Sequence, residues 1–192
     1  MFAQIGLYLV EAVFGFFVTM LLARFHFQWL RVPFRNPIGG FVVAMTDWIV
    51  RPARRVVPGL GGFDVATLLL AWLVQTLALW VLYSLKSADP GGAAAGVLPL
   101  LAVLALFDLV RYSLYILIFA VLVQVLLSWL NPYSPVAPIF NAMTRPFLAP
   151  IRRFVPPIGN FDLSPLVLLV LLQVLLIALA HLRGLAAGLF TA

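Results

Sequence analysis

One 14-residue phrase occurs twice in this chain, 98 residues apart, and each copy opens onto a long apolar run. The first copy is Arg51-Pro-Ala-Arg-Arg-Val-Val-Pro-Gly-Leu-Gly-Gly-Phe-Asp64, the second Ala149-Pro-Ile-Arg-Arg-Phe-Val-Pro-Pro-Ile-Gly-Asn-Phe-Asp162. Eight positions are identical: Pro52/Pro150, Arg54/Arg152, Arg55/Arg153, Val57/Val155, Pro58/Pro156, Gly61/Gly159, Phe63/Phe161 and Asp64/Asp162. The register continues outward through Pro37/Pro135, the Ala-Met-Thr of 44–46 and 142–144, Leu68/Leu166 and Gln75/Gln173. A match of this kind is an internal duplication, so any architecture for one half must serve the other.

The solvent for that architecture follows from composition. The chain is 65% hydrophobic and only 9% charged, against about 25% charged in a soluble domain. It reads as an integral membrane protein. No cysteine is present, which removes disulfides, thiolate metal sites and cysteine nucleophiles. The net charge of +6 would suit nucleic acid, but the basic residues flank apolar spans and read as topology signals. Residues 1–10 hold no Lys or Arg and no A-x-A site follows, so the first apolar segment is expected to be a retained span.

Four stretches are long enough to cross: about Phe2–Leu22, Val65–Leu85, Leu109–Leu130 and Leu163–Leu182. Asp64 and Asp162 stand where the second and fourth begin, as carboxylates that cap a helix N-terminus. Ser164-Pro165 strengthens the later start. Connectors Phe25–Phe63 and Asn131–Phe161 are too interrupted by proline and glycine to cross. Their middles, Ile38–Val50 and Val136–Leu148, read as short interfacial helices, with Trp29, Trp48 and Trp129 at headgroup level. A re-entrant dip is the alternative. Val97–Leu130 has no glycine and no proline after Pro99, and is expected to be one long helix, with a fold-back of Val97–Phe107 along it as the alternative.

The expected fold is therefore all-α: four transmembrane helices in two parallel tandem repeats, each with an interfacial proline- and arginine-rich connector. Residues 1–85 form the first repeat, 86–108 a linker and helix extension, and 109–192 the second. Nine of the 12 basic residues fall in the connectors or, for Arg24, directly before the first: Arg24, Arg31, Arg35, Arg51, Arg54, Arg55, Arg145, Arg152 and Arg153. The positive-inside rule then puts both connectors in the cytoplasm and both termini outside.

Ionisable groups inside apolar runs are functional candidates, because burying them is costly. Glu11 aligns with Arg111 under the 100-residue offset that matches Trp29 with Trp129, so the two are expected to pair. Asp108, one turn before Arg111, competes for the same guanidinium. Gln75 and Gln173 are repeat equivalents near mid-membrane, suited to hydrogen bonds between helices. His26 and His181 have no second ligand at i+3 or i+4 and read as snorkelling interfacial side chains. Gly184–Gly188 is a weak small-xxx-small match, and Gly91–Gly96 a flexible linker. No catalytic motif, cofactor site or metal site is legible, and the chain is not expected to be an enzyme.

The duplicated P-x-R-R-x-V-P-x-x-G-x-F-D phrase, with Trp29 and Asn36-Pro37 or Trp129 and Asn131-Pro132 upstream, resembles the YggT family of membrane proteins. The likeness runs from about Leu7 to Leu182 and fits the two-repeat bacterial form, related to plastid proteins of the YlmG type. Ala149 replaces Arg51, and Asn160 replaces Gly62, in the second copy. The resemblance implies association with cell division and nucleoid organisation, cytochrome maturation in plastids, or osmotic tolerance; it brings no catalytic residues. Two classes of function follow. One is a scaffold or assembly factor of the bacterial inner membrane that uses the arginine motifs. The other is an ion or small-solute channel or transport component lined by Glu11, Arg111, Gln75 and Gln173. Expected partners are the bilayer, with anionic headgroups at the motifs, and a membrane or cytoplasmic protein. Direct nucleic-acid binding is not expected, and homo-oligomerisation is compatible with the chain.

Overall fold

The first apolar run does not stop where its basic residues begin. In a computed structural model describing residues 2–57, 59, 63–86, 96–131, 133–155 and 162–189, helix α1 spans Phe2–Trp29 and carries Arg24 and His26 within it. It is followed by α2 (Pro37–Val56), α3 (Val65–Lys86), α4 (Leu98–Leu130), α5 (Ala137–Phe154) and α6 (Ser164–Leu189). Four of these, α1, α3, α4 and α6, are long and apolar enough to cross a membrane. Helix α4 is unbroken over 33 residues, about 50 Å at 1.5 Å per residue.

Local chemistry explains the ends. Helix α1 closes with a Schellman turn: Val32 N–H reaches Phe27 C=O at 2.8 Å and Arg31 N–H reaches Gln28 C=O at 3.2 Å. Arg31 takes the left-handed conformation such a turn demands, with φ of 54°. Phe27 and Val32 are both buried, which supplies the apolar contact that accompanies the motif. At the start of α2, Asn36 is the cap, its Oδ1 accepting from Gly39 N–H at 2.7 Å, and Pro37 follows at the first helical position. Gly39 has no room for a side chain, because a Cβ there would lie 2.6 Å from the Phe34 carbonyl oxygen. Replacing Gly39 with alanine should therefore displace the backbone and break the cap. The expected loss is about 2 kcal/mol of stability, read as a lower melting temperature in detergent.

The connector helices are longer than the sequence suggests. They run to Val56 and Phe154, through Pro52 in α2 and through Pro146 and Pro150 in α5. Each proline forfeits one backbone hydrogen bond; Pro52 and Pro150 lie close to the ends of their helices, whereas Pro146 stands in the middle of α5. The arginine pairs thus sit in the last turn, where cations oppose the helix dipole. Pro58, Gly61, Pro156 and Gly159 of the motif lie outside the described residues.

Each connector helix is amphipathic and packs across the two spans of its own repeat, α2 on α1 and α3, α5 on α4 and α6. The buried positions of α2 are Gly39, Val42, Thr46 and Val50, spaced to form one face. Equivalent positions do equivalent work. Val50 and Leu148 are fully buried, as are Leu21 and Val121 against them. Within a bilayer the apolar surface gains little by meeting other apolar surface, so close packing decides association. Ala71, Ala105 and Ala120 are accordingly fully buried where helices approach. Helix α4 packs against α1 and α3 as well as α5 and α6, so it joins the repeats. Trp29, Trp48 and Trp129 stay exposed toward the connector end.

Candidate functional site

Two polar clusters occupy opposite ends of the bundle. The first surrounds Asp108, whose side chain is 1% exposed. Gln75 Nε2 on α3 donates to its Oδ2 at 2.9 Å. Arg183 on α6 donates from Nε to Oδ1 at 3.0 Å and from Nη2 to Oδ2 at 3.4 Å. Arg111, one turn along α4, lies 3.3 Å from Oδ1. One carboxylate therefore ties three spans together through four residues. Beside it is a cavity of about 360 Å³, also lined by Glu11, Tyr83 and Lys86.

This arrangement corrects the expected Glu11–Arg111 pair. Arg111 meets Asp108 instead, and Glu11 is exposed with no ion pair among the described residues. The repeat placed Glu11 and Arg111 at similar depth but could not fix the direction each faces around its helix. Gln75 makes its interhelical bond, whereas its equivalent Gln173 is exposed on α6, away from the cluster. Arg183 was the missed member. Its only sequence signal was a lone cation beyond Leu182, on a helix that continues to Leu189.

The second cluster is the repeated motif. Asp64 is buried at the start of α3, where its carboxylate accepts from Thr67 N–H at 3.3 Å and from the Thr67 hydroxyl. It also accepts from Arg54, whose Nη2 reaches Gln28 Oε1 at 3.0 Å as well. In the second repeat Asp162 accepts from Ser164 N–H at 2.9 Å and pairs with Arg152 at 2.8 Å. Each motif is thus a clamp from the end of a connector helix to the start of the next span. Burial opposes ionisation of Asp64, but the Arg54 and Thr67 hydrogen bonds outweigh it and hold its pKa below the ordinary carboxylate value. Asp162 is lowered in the same way, against burial, by Ser164 and Arg152. Arg55 and Arg153, next in sequence, are exposed and in no ion pair among the described residues.

A second anchor is built on Arg24, which the sequence places only among the topology-setting cations. Arg24 is buried and donates from Nη1 to Thr46 Oγ1 and to Asp47 Oδ1, both at 2.8 Å. Arg51 meets the other Asp47 oxygen at 2.8 Å. Burial works against the Asp47 charge, yet Arg24 and Arg51 together keep its pKa lowered. At the equivalent place in the second repeat, the Thr144 hydroxyl donates to Gln124, and Arg145 replaces Asp47. The signal was available: Thr46 and Thr144 belong to the repeated Ala-Met-Thr. His26 is buried rather than snorkelling, with Nδ1 2.7 Å from the Leu22 carbonyl, and His181 is exposed. No His/Cys/Asp/Glu group among the described residues is arranged to hold a metal.

Residues 3–85 and 103–183 each match the family model described as CCB3/YggT. The chain belongs to the CCB3/YggT family. Each matched segment contains one copy of the clamp, so the family unit is a single repeat and this chain carries two of them. The YggT protein of Escherichia coli K12 is 33% identical over 91% of this chain and 88% of its own length. An uncharacterised protein encoded 3′ of proC in Vibrio alginolyticus is 34% identical, covering 86% of this chain and 88% of the relative. An uncharacterised protein of Pseudomonas aeruginosa is 34% identical over 84% of this chain and 81% of the relative. No solved structure matches the chain significantly.

Proposed function

We propose that this CCB3/YggT-family protein is a non-catalytic scaffold or assembly factor of the bacterial cytoplasmic membrane, with its connectors facing the cytoplasm and its termini outside. The observation that carries this reading is the clamp. Arg54 and Arg152 are consumed in fixing the connector helices, while the adjacent Arg55 and Arg153 project freely from the same last turns. A rigid, repeated presentation of guanidinium groups that are exposed and in no ion pair among the described residues suits an acidic segment of a protein partner, which arginine can grip with two parallel hydrogen bonds.

A conduit for ions or small solutes is the other class, and the cavity beside Asp108 is what favours it. The polar lining does not continue toward the connectors. There the bundle closes on Leu21, Leu22, Val50, Ala71, Val121 and Leu148. The scaffold reading therefore takes precedence.

The test changes Arg55 and Arg153 together to glutamate, leaving the clamp arginines alone. Membrane abundance and melting temperature should stay near wild type, since both side chains are exposed and neither is in an ion pair among the described residues. Complementation of a deletion strain should fail. A lysine pair at the same positions should restore it only in part, because charge is kept and the fork is lost. Full complementation by the glutamate pair would remove this face from consideration.

A further inference from the structure

The two repeats differ at the corner where span, connector and clamp meet. In the first repeat the corner is closed. Arg24 is buried against Thr46 and Asp47, and Gln28 reaches across to Arg54. The second repeat carries shorter or neutral side chains there: Gln124 for Arg24 and Ser128 for Gln28. Ser128 cannot span to Arg152 as Gln28 spans to Arg54. The corner stands open as a cavity of about 520 Å³ between α4 and α6, lined in part by Gln124, Ser128, Trp129, Arg152 and Asp162. A second cavity of about 250 Å³ shares Gln124, Ser128 and Arg152 and adds Asn141.

We propose that this crevice binds one anionic phospholipid, with its headgroup phosphate on Arg152 and an acyl chain along α4 and α6. Arg152 stands between the two cavities. Its Nε and Nη2 face Asp162, and Nη1 makes no hydrogen bond among the described residues. Ser128 and Asn141 add neutral donors to the same pair of openings. The charge has also moved. Asp47 and Asp64 hold Arg24, Arg51 and Arg54 in the first repeat, whereas in the second Arg145 stands in place of Asp47 and Asp162 alone holds Arg152 among the described residues.

The rest of the crevice selects a lipid over a soluble anion. Leu122, Val125, Leu166 and Leu169 carry its lining away from the arginine. Leu122 and Leu166 are exposed, so the crevice opens sideways onto the apolar face of the spans. Trp129 stands at the end of α4, where an indole meets the headgroup layer. A polar head beside an apolar channel with a lateral mouth fits a lipid. This site does not depend on Arg55 or Arg153.

The full chain, purified in detergent and stripped of endogenous lipid, is titrated with phosphatidylglycerol and, separately, phosphatidylcholine, and adducts are counted by native mass spectrometry. Wild type should retain one phosphatidylglycerol in preference to phosphatidylcholine. Ser128→Gln, which installs the first repeat's own closure, should weaken that adduct by about tenfold while leaving the melting temperature unchanged, as expected for loss of one charge-assisted contact. The reciprocal Gln28→Ser should create a second adduct. Undiminished retention in Ser128→Gln overturns the proposal, as does equal retention of phosphatidylcholine. Displacement of the lipid by free glycerol phosphate also overturns it, because the crevice would then be a site for a soluble phosphate ester.

Discussion

Asp108→Leu should lose most of its folded population in detergent, while the triple change Asp108→Leu, Arg111→Leu and Arg183→Leu should recover it. Among the described residues the carboxylate is the only anion of its cluster with direct ion pairs, and it faces two guanidinium groups and Gln75. Removing it strands two cations among apolar helices. Breaking a buried pair from one side costs about 3–5 kcal/mol, whereas replacing the whole set with apolar groups is close to neutral. The lower end of that range applies, because Arg111 and Arg183 keep about a third of their side-chain surface exposed. Size-exclusion profiles and thermal unfolding followed by tryptophan fluorescence measure the effect. A single variant that melts like wild type would show that the cavity solvates the arginines well enough without Asp108.

The two clamp aspartates should differ in consequence despite their equivalence. Asp64→Ala removes a helix cap, a hydroxyl partner and the counterion of Arg54 from a site whose carboxylate is 2% exposed. A loss of about 3 kcal/mol is expected. Asp162 is 32% exposed, so water compensates, and Asp162→Ala should cost about 1 kcal/mol. The acid response follows from the same geometry. Both folded-state pKa values lie below the ordinary 3.8, so the unfolded chain takes up its protons first as pH falls. The clamps contribute fully above that value, and the contribution is lost as pH drops below about 3.8 through the folded values. Melting curves between about pH 6 and pH 3 should steepen in wild type and flatten in Asp64→Asn. Identical slopes would show that the Arg54 bond does not stabilise the folded state.

What could be read from the sequence divides along a physical line. Apolar length and local chemistry revealed four crossings, the amphipathic connectors and the carboxylates at the starts of α3 and α6. These features depend on a few neighbouring residues. The fate of Arg24 depended on Thr46 and Asp47 of the next helix, which turn an apparent span terminus into a buried anchor. Asp108 found Arg183, 75 residues away, and nothing in the spacing of either residue announced it. Duplication supplied depth without azimuth, which explains why Gln75 faces inward and Gln173 outward. It also concealed the most informative positions. Gln28 and Ser128 are unremarkable alone, and only their different relations to Arg54 and Arg152 expose the open corner.

The placement of α4 has a consequence for the order of assembly. Spans enter the bilayer in chain order, so α1 and α3 are in place before α4 leaves the ribosome. Until then Gln75 has no Asp108 to bond, and the Leu109 that completes the packing of Val18, Leu21 and Ala71 is absent. The early hairpin is a half-finished surface that matures only when the second repeat arrives. Truncation after Lys86 should therefore yield a hairpin that seeks a substitute for α4, whether a chaperone, a second hairpin or a protease.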